Sequence, residues 1–146
     1  MHWHTKQFGL LIVSLFLLII LIGVILCICV GDLGYVIPIF IIVPIIAILL
    51  FYQLEVIVDD KTLLVKLGIG IIQKRFFLHN IISAKSIENS ALAGWGIRIL
   101  PEFTLYNVSG FKSVEIELKN RSRKFRIGFE DPDEFIKFLD NKNPQS

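Results

Sequence analysis

The sequence predicts a two-part chain: an N-terminal two-helix transmembrane hairpin, then a mainly-β barrel of six or seven strands with a C-terminal capping α-helix. Three observations lead there. From Phe8 to Tyr52 the only formally charged side chain is Asp32. Behind Tyr52 the apolar residues switch to a period of two, and after the last such run a helix-start signal opens at Asp131.

The apolar content of 54% exceeds the ~45–50% of ordinary soluble domains, and the excess lies at one end. Of 15 Lys+Arg and 13 Asp+Glu, only Lys6 and Asp32 precede Gln53. Two solvents are implied, with the border near Tyr52. The expected division is therefore 1–52 for the transmembrane hairpin and 53–146 for a cytoplasmic domain.

Phe8 to Val30 carries no charge and as a helix is roughly 34 Å long, enough for a ~30 Å hydrocarbon core. Tyr35 to Tyr52 gives about 27 Å, near the short limit. Spans at 8–30 and 35–52, joined by Gly31-Asp32-Leu33-Gly34, must run antiparallel as neighbours. Pro38 falls in the first turn of the second span, where a missing N–H costs little, and Pro44 predicts a kink. A cleaved signal peptide fits the first span poorly: the apolar run is too long, and no small-x-small pattern follows. Cys27 and Cys29 are two apart on a helix, which excludes a mutual disulfide and disfavours a metal pair. The loop holds only Asp32, while Lys6 flanks one end and Lys61, Lys66, Lys74 and Arg75 follow the other, so both termini are expected in the cytoplasm. Trp3 and Tyr52 then stand at one interface, as in an aromatic belt.

Leu54, Val56 and Val58 alternate with Glu55; Asp59-Asp60-Lys61-Thr62 turns the chain; Leu63, Val65 and Leu67 return. That is a hairpin. Gly68 and Gly70 interrupt, and Ile72–Leu78 and Ile81–Ile87 read as further strands. The clearest alternation is Val114, Ile116 and Leu118 against Glu115, Glu117 and Lys119, paired with Phe125, Ile127 and Phe129 across Asn120-Arg121-Ser122-Arg123. One face is expected dry and the other wet. Asp131 at the N-cap, Pro132 at the first helical position and Glu134 three residues on start the helix, whose Phe135, Phe138 and Leu139 make a stripe for docking on a sheet.

Three strings then come into view: Gly94-Trp95-Gly96-Ile97-Arg98, Tyr106-Asn107-Val108-Ser109-Gly110, and Phe125-Arg126-Ile127-Gly128 leading into Asp131-Pro132. Within an order of strands closed by one helix, they resemble a bacterial pleckstrin-homology-like (PH-like) family often tethered to membrane spans. Phe129 departs from the threonine or serine common there, and Asn120–Arg123 replaces a tighter Asn-Gly turn. The resemblance implies a PH-like barrel, with Gly94, Gly96, Tyr106, Asn107, Gly110, Gly128, Asp131 and Pro132 in structural roles. It also implies a non-enzymatic, membrane-anchored interaction domain without a cofactor.

Candidate sites are few. Gly94 and Gly96 let the backbone enter a strand sharply, Trp95 covers the sheet, and Arg98 alternates with Ile97 and Ile99 onto the wet face. The ordinary reading is a strand entry; the sharper one makes Trp95 and Arg98 a partner-binding pair, with Arg98 on an anionic group. Lys74, Arg75, Arg121, Arg123 and Lys124 are candidates for lipid headgroups, or a solvated face balanced by Glu115, Glu117 and Glu130. The turn Asp59–Thr62, as acidic as it is basic, weakens a phosphoinositide site. Balanced charge disfavours nucleic acid. His2, His4 and His79 give no convincing metal site, and no nucleophile elbow, phosphate loop or paired-carboxylate setting is present. The expected function is membrane-anchored assembly with a protein partner, or with itself. An anionic-lipid sensor and protection against membrane-active peptides stand as alternatives from other classes.

Overall fold

The computed structural model describes residues 3–31, 34, 36–90, 96–119 and 121–142. Strand β1 (Trp3–Phe8) precedes two apolar helices, α1 (Leu10–Val30) and α2 (Val36–Phe51). Strands β2 (Gln53–Val58), β3 (Thr62–Leu67) and β4 (Ile72–Phe77) follow, then a 3-10 turn at Leu78–Asn80. The rest is β5 (Ile81–Glu88), β6 (Gly96–Ile99), β7 (Phe103–Asn107), β8 (Lys112–Leu118), β9 (Lys124–Gly128) and α3 (Pro132–Lys142).

The mostly-β body and its C-terminal helix match the expectation, but the strands form two sheets rather than one closed barrel. A four-stranded sheet runs β1-β2-β3-β4, and a five-stranded sheet runs β5-β8-β9-β7-β6. A barrel needs a ladder joining the outer strands of one sheet to those of the other; none is present among the described residues. The described residues form nine strands where six or seven were expected. The additional strand with the largest consequence is β1, which pairs antiparallel with β2 from Trp3↔Val58 to Phe8↔Gln53. Trp3 is accordingly no membrane-belt residue: its ring lies 4.9 Å from Phe135 and 5.9 Å from Phe129, inside the aromatic plug under α3.

The two sheets bury their facing sides against each other. Leu54, Val56, Val58, Leu63, Val65 and Leu67 come from the first, Val114, Ile116, Phe125 and Ile127 from the second. Phe76 of β4 meets Phe125 of β9 edge-on at 4.8 Å. Phe135 and Leu139 close the core from α3, whose start is capped as expected: Asp131 Oδ1 accepts from the amides of Asp133 and Glu134 at 3.2 and 3.3 Å. The hairpins β2–β3 and β8–β9 also form where the alternation predicts.

Among the described residues one helix, within α1 at Leu10–Cys29, is long and apolar enough to cross a membrane. The expected second span is not borne out at its expected length. The helix α2 has 16 residues, about 24 Å against a core of ~30 Å; Gln53 at the end of the apolar run is drawn into the β1–β2 ladder, and Asp32 and Tyr35 lie outside the described residues. The helix runs on through Pro44. It packs on α1 where Gly23 meets Phe40.

The β1–β2 ladder continues into the base of this helix pair: Gly9 N donates to Tyr52 O at 2.8 Å. The chain therefore leaves and re-enters the sheet at one point. The β3–β4 turn is tied to the same place, with Ile69 N donating to Leu49 O at 3.0 Å and Gly68 N to Gln53 O at 2.8 Å.

Candidate interaction surface

The five-stranded sheet turns one face to the core and the other outward. Register assigns the outward row: Lys85 opposite Glu115, Glu115 opposite Arg126, Arg126 beside Leu105, and Leu105 opposite Arg98. Partners across a sheet share a face, so Arg98 lies in register with Arg126 and Glu115, but the β7 member between them is Leu105, which is apolar and fully buried.

At the middle of the row, expectation and structure part. Glu115, placed by alternation on a wet face, has only 6% of its surface exposed. It is held by Lys124 Nζ at 2.9 Å and Arg126 Nε at 2.8 Å. Burial alone raises the Glu115 carboxyl pKa, but the hydrogen bonds and charges of Lys124 and Arg126 outweigh it and keep the group below the ordinary carboxylate value. The Arg126 guanidinium stacks over Phe103 at 3.6 Å and reaches Asn89 Oδ1 at 3.3 Å, so a cation, a ring and a carboxylate lock one another. Phe103 and Asn89 carry no periodic signal that would have singled them out.

Arg98 lies on β6, an outer strand that pairs with β7 alone among the described residues. It is exposed, Ile97 packs against the core, and Ile99 is 70% exposed. The preceding Gly94 and Trp95 lie outside the described residues, so the proposed Trp95–Arg98 pairing has no geometry here; Gly96 opens the strand with φ of +95°, as its position in the motif implies.

The other motif positions gather at the same end of β7, where Asn107 stands opposite Gly96 in the β6–β7 ladder. Asn107 Nδ2 donates to Gly110 O at 2.9 Å, and its Oδ1 accepts from Ser109 N at 3.3 Å. Any Cβ at Gly128 would collide with Asn107 Oδ1. Tyr106 is buried on the core side, where burial raises its hydroxyl pKa. Pro132 is buried in the first turn of α3. Gln7, which sequence reasoning missed, joins this knot from β1 by donating to Ser109 O at 2.8 Å.

The basic residues assigned to headgroups are dispersed. Lys74 and Arg75 lie in β4, whereas Arg121 and Arg123 flank the β8–β9 turn. Strand β8 begins beside the knot at the helix base and runs away from it, so that turn stands about 20 Å farther from the hairpin. Lys124 is engaged by Glu115 and Glu117, the latter at 2.7 Å. His4 Nε2 sits 2.7 Å from Glu55 Oε1, with Lys6 at 3.3 Å from the same oxygen, while His79 stacks near Phe77 and His2 lies outside the described residues. Among the described residues no three His, Cys, Asp or Glu side chains group as metal ligands.

The chain matches no protein-family model and no curated protein.

Proposed function

We propose that this chain is a membrane-anchored, non-enzymatic interaction module, similar to bacterial PH-like domains, that assembles with a protein partner at the inner face of a membrane. The observation that carries the reading is the outer strand β6, exposing Arg98 and Ile99 on a body fixed to an apolar helix pair. A partner segment adds to this strand by main-chain hydrogen bonds, with Ile99 and Arg98 selecting its side chains. Tethering raises the effective concentration of membrane components, so weak contacts suffice.

The pairing of Phe8 with Gln53 supports anchoring by both helices. If α1 crosses, the chain must come back beside it, and α2 is the returning segment. Its shortness is met by local thinning of the bilayer. The positive-inside tendency assigns the β body to the cytoplasm.

A photo-cross-linking side chain placed at Arg98 or at Ile99 in native membranes tests the reading. One discrete protein adduct at both positions, lost when Ile97→Pro blocks strand addition and absent with the cross-linker at Lys137 of α3, is the expected result. Equal labelling at Lys137, or none at β6, contradicts it.

A further inference from the structure

The reading above leaves open how the β body meets the bilayer to which it is tied. Six large apolar side chains are exposed on the described strands and loops behind the hairpin: Ile69, Ile71, Phe77, Ile82, Ile99 and Phe111. Three of them stand at one end. Ile69 and Ile71, 55% and 70% exposed, flank the β3–β4 turn that Leu49 O and Gln53 O hold against the last turn of α2. Phe111, 43% exposed, follows the Ser109–Gly110 loop that Gln7 clamps next to Gly9, the entry to α1.

We propose that this end of the body is a membrane-seating surface, with Ile69, Ile71 and Phe111 entering the interfacial layer of a phospholipid bilayer around the base of the hairpin. The proposal rests on the reading that the hairpin lies in the membrane. The occupant follows from continuity: the β3–β4 turn is hydrogen-bonded to Leu49 in the last turn of α2, and the Ser109–Gly110 loop is bonded to Gln7, three residues before α1 begins, with Val108 against Gly9, so both lie near the depth of Leu49 to Tyr52. Phe8, 51% exposed, and Tyr52 stack edge-on at 6.2 Å at the same level, the depth at which amphipathic rings settle. Behind Ile69, Lys66 and Glu55 line an open polar cleft of about 290 Å³ with Tyr52, Gln53 and Gln73, so polar groups of both signs stand beside the inserted apolar chains, as at the headgroup layer. Two loops held at the helix base also fix the tilt of the sheets.

The test uses the full chain with Cys27→Ser and Cys29→Ser, carrying one new thiol at a time: Ile71→Cys, Phe111→Cys, Lys61→Cys or Leu17→Cys. Each is spin-labelled and reconstituted into vesicles of equal parts phosphatidylcholine and phosphatidylglycerol, and collision with oxygen is compared with collision with a water-soluble nickel chelate. The expected result is a several-fold higher oxygen-to-nickel ratio for the Leu17, Ile71 and Phe111 labels than for Lys61, which lies in the turn at the far end of β2. Water-like ratios for Ile71 and Phe111 beside a lipid-like Leu17 overturn the seating and leave the anchored hairpin standing. A water-like Leu17 overturns both.

Discussion

A glutamate in the alternating run Val114–Leu118 belongs in water by its spacing, yet Glu115 is almost fully covered by the two cations that hold it. Removing one partner of such a pair leaves a charge that neither water nor protein fully solvates. Arg126→Met should lower stability by on the order of 2 kcal/mol, read as a lower urea midpoint of the full chain in micelles, whereas Arg75→Met on the exposed side of β4 should change little. The acid limb follows from the same contacts. Glu115 has a folded pKa below its ordinary 4.5, so its contribution is complete above the unfolded value and is lost as pH falls through the folded one. Glu115→Gln should therefore flatten the fall in stability below about pH 4.5; an unchanged acid slope would place the acid-sensitive group elsewhere. Close approach governs Gly128: Gly128→Ala drives a methyl into Asn107 Oδ1 and should cost roughly 2 kcal/mol, again read in the urea midpoint. The motif resemblance flagged Asn107, Gly110 and Gly128, but Gln7, their partner from β1, carries no signal. A glutamine before an apolar run looks like any polar flank until the fold brings Ser109 to it.

Elements were legible where one face is dry along the whole strand. Hairpins β2–β3 and β8–β9 and the cap of α3 could be read because local spacing and burial agree there. Strand β1 could not, since Trp3, Thr5 and Gln7 face inward and only Trp3 is strongly apolar; its pairing is created by tertiary contact with β2 and α3. The closed barrel failed for a related reason. Alternation shows that a strand has a buried face, but not which strand its edge pairs with, and β7 pairs parallel with β9 across a long connection that no local pattern records. The expected span 35–52 ends one residue earlier, at Phe51, because composition does not register that Tyr52 O is taken by Gly9 N where the chain re-enters the sheet. One element-scale contact is sharply testable. Gly68 holds φ of +54°, with a Cβ barred by the Leu49 carbonyl, so Gly68→Val should detach the β3–β4 turn from α2. The Ile69 amide, bonded to Leu49 O, should then exchange with solvent faster by at least an order of magnitude, roughly the loss of 1.4 kcal/mol of local protection; unchanged exchange would mean that the turn is held by something else.

At the scale of the whole molecule, the first strand and the second are hydrogen-bonded neighbours, and the two apolar helices α1 and α2 lie between them in the chain. A membrane that takes in the helices must leave both flanks on one side, because opposite sides would break the β1–β2 ladder. Partner capture at β6 and the seating of Ile69, Ile71 and Phe111 both depend on that geometry. It is tested most directly in sealed, right-side-out membrane vesicles with a membrane-impermeant thiol reagent, using Cys27→Ser and Cys29→Ser chains that carry either Thr5→Cys in β1 or Lys137→Cys in α3. The account predicts that both thiols stay unmodified until the vesicles are opened and then react in the denatured chain. Modification of one in sealed vesicles while the other stays protected would contradict it.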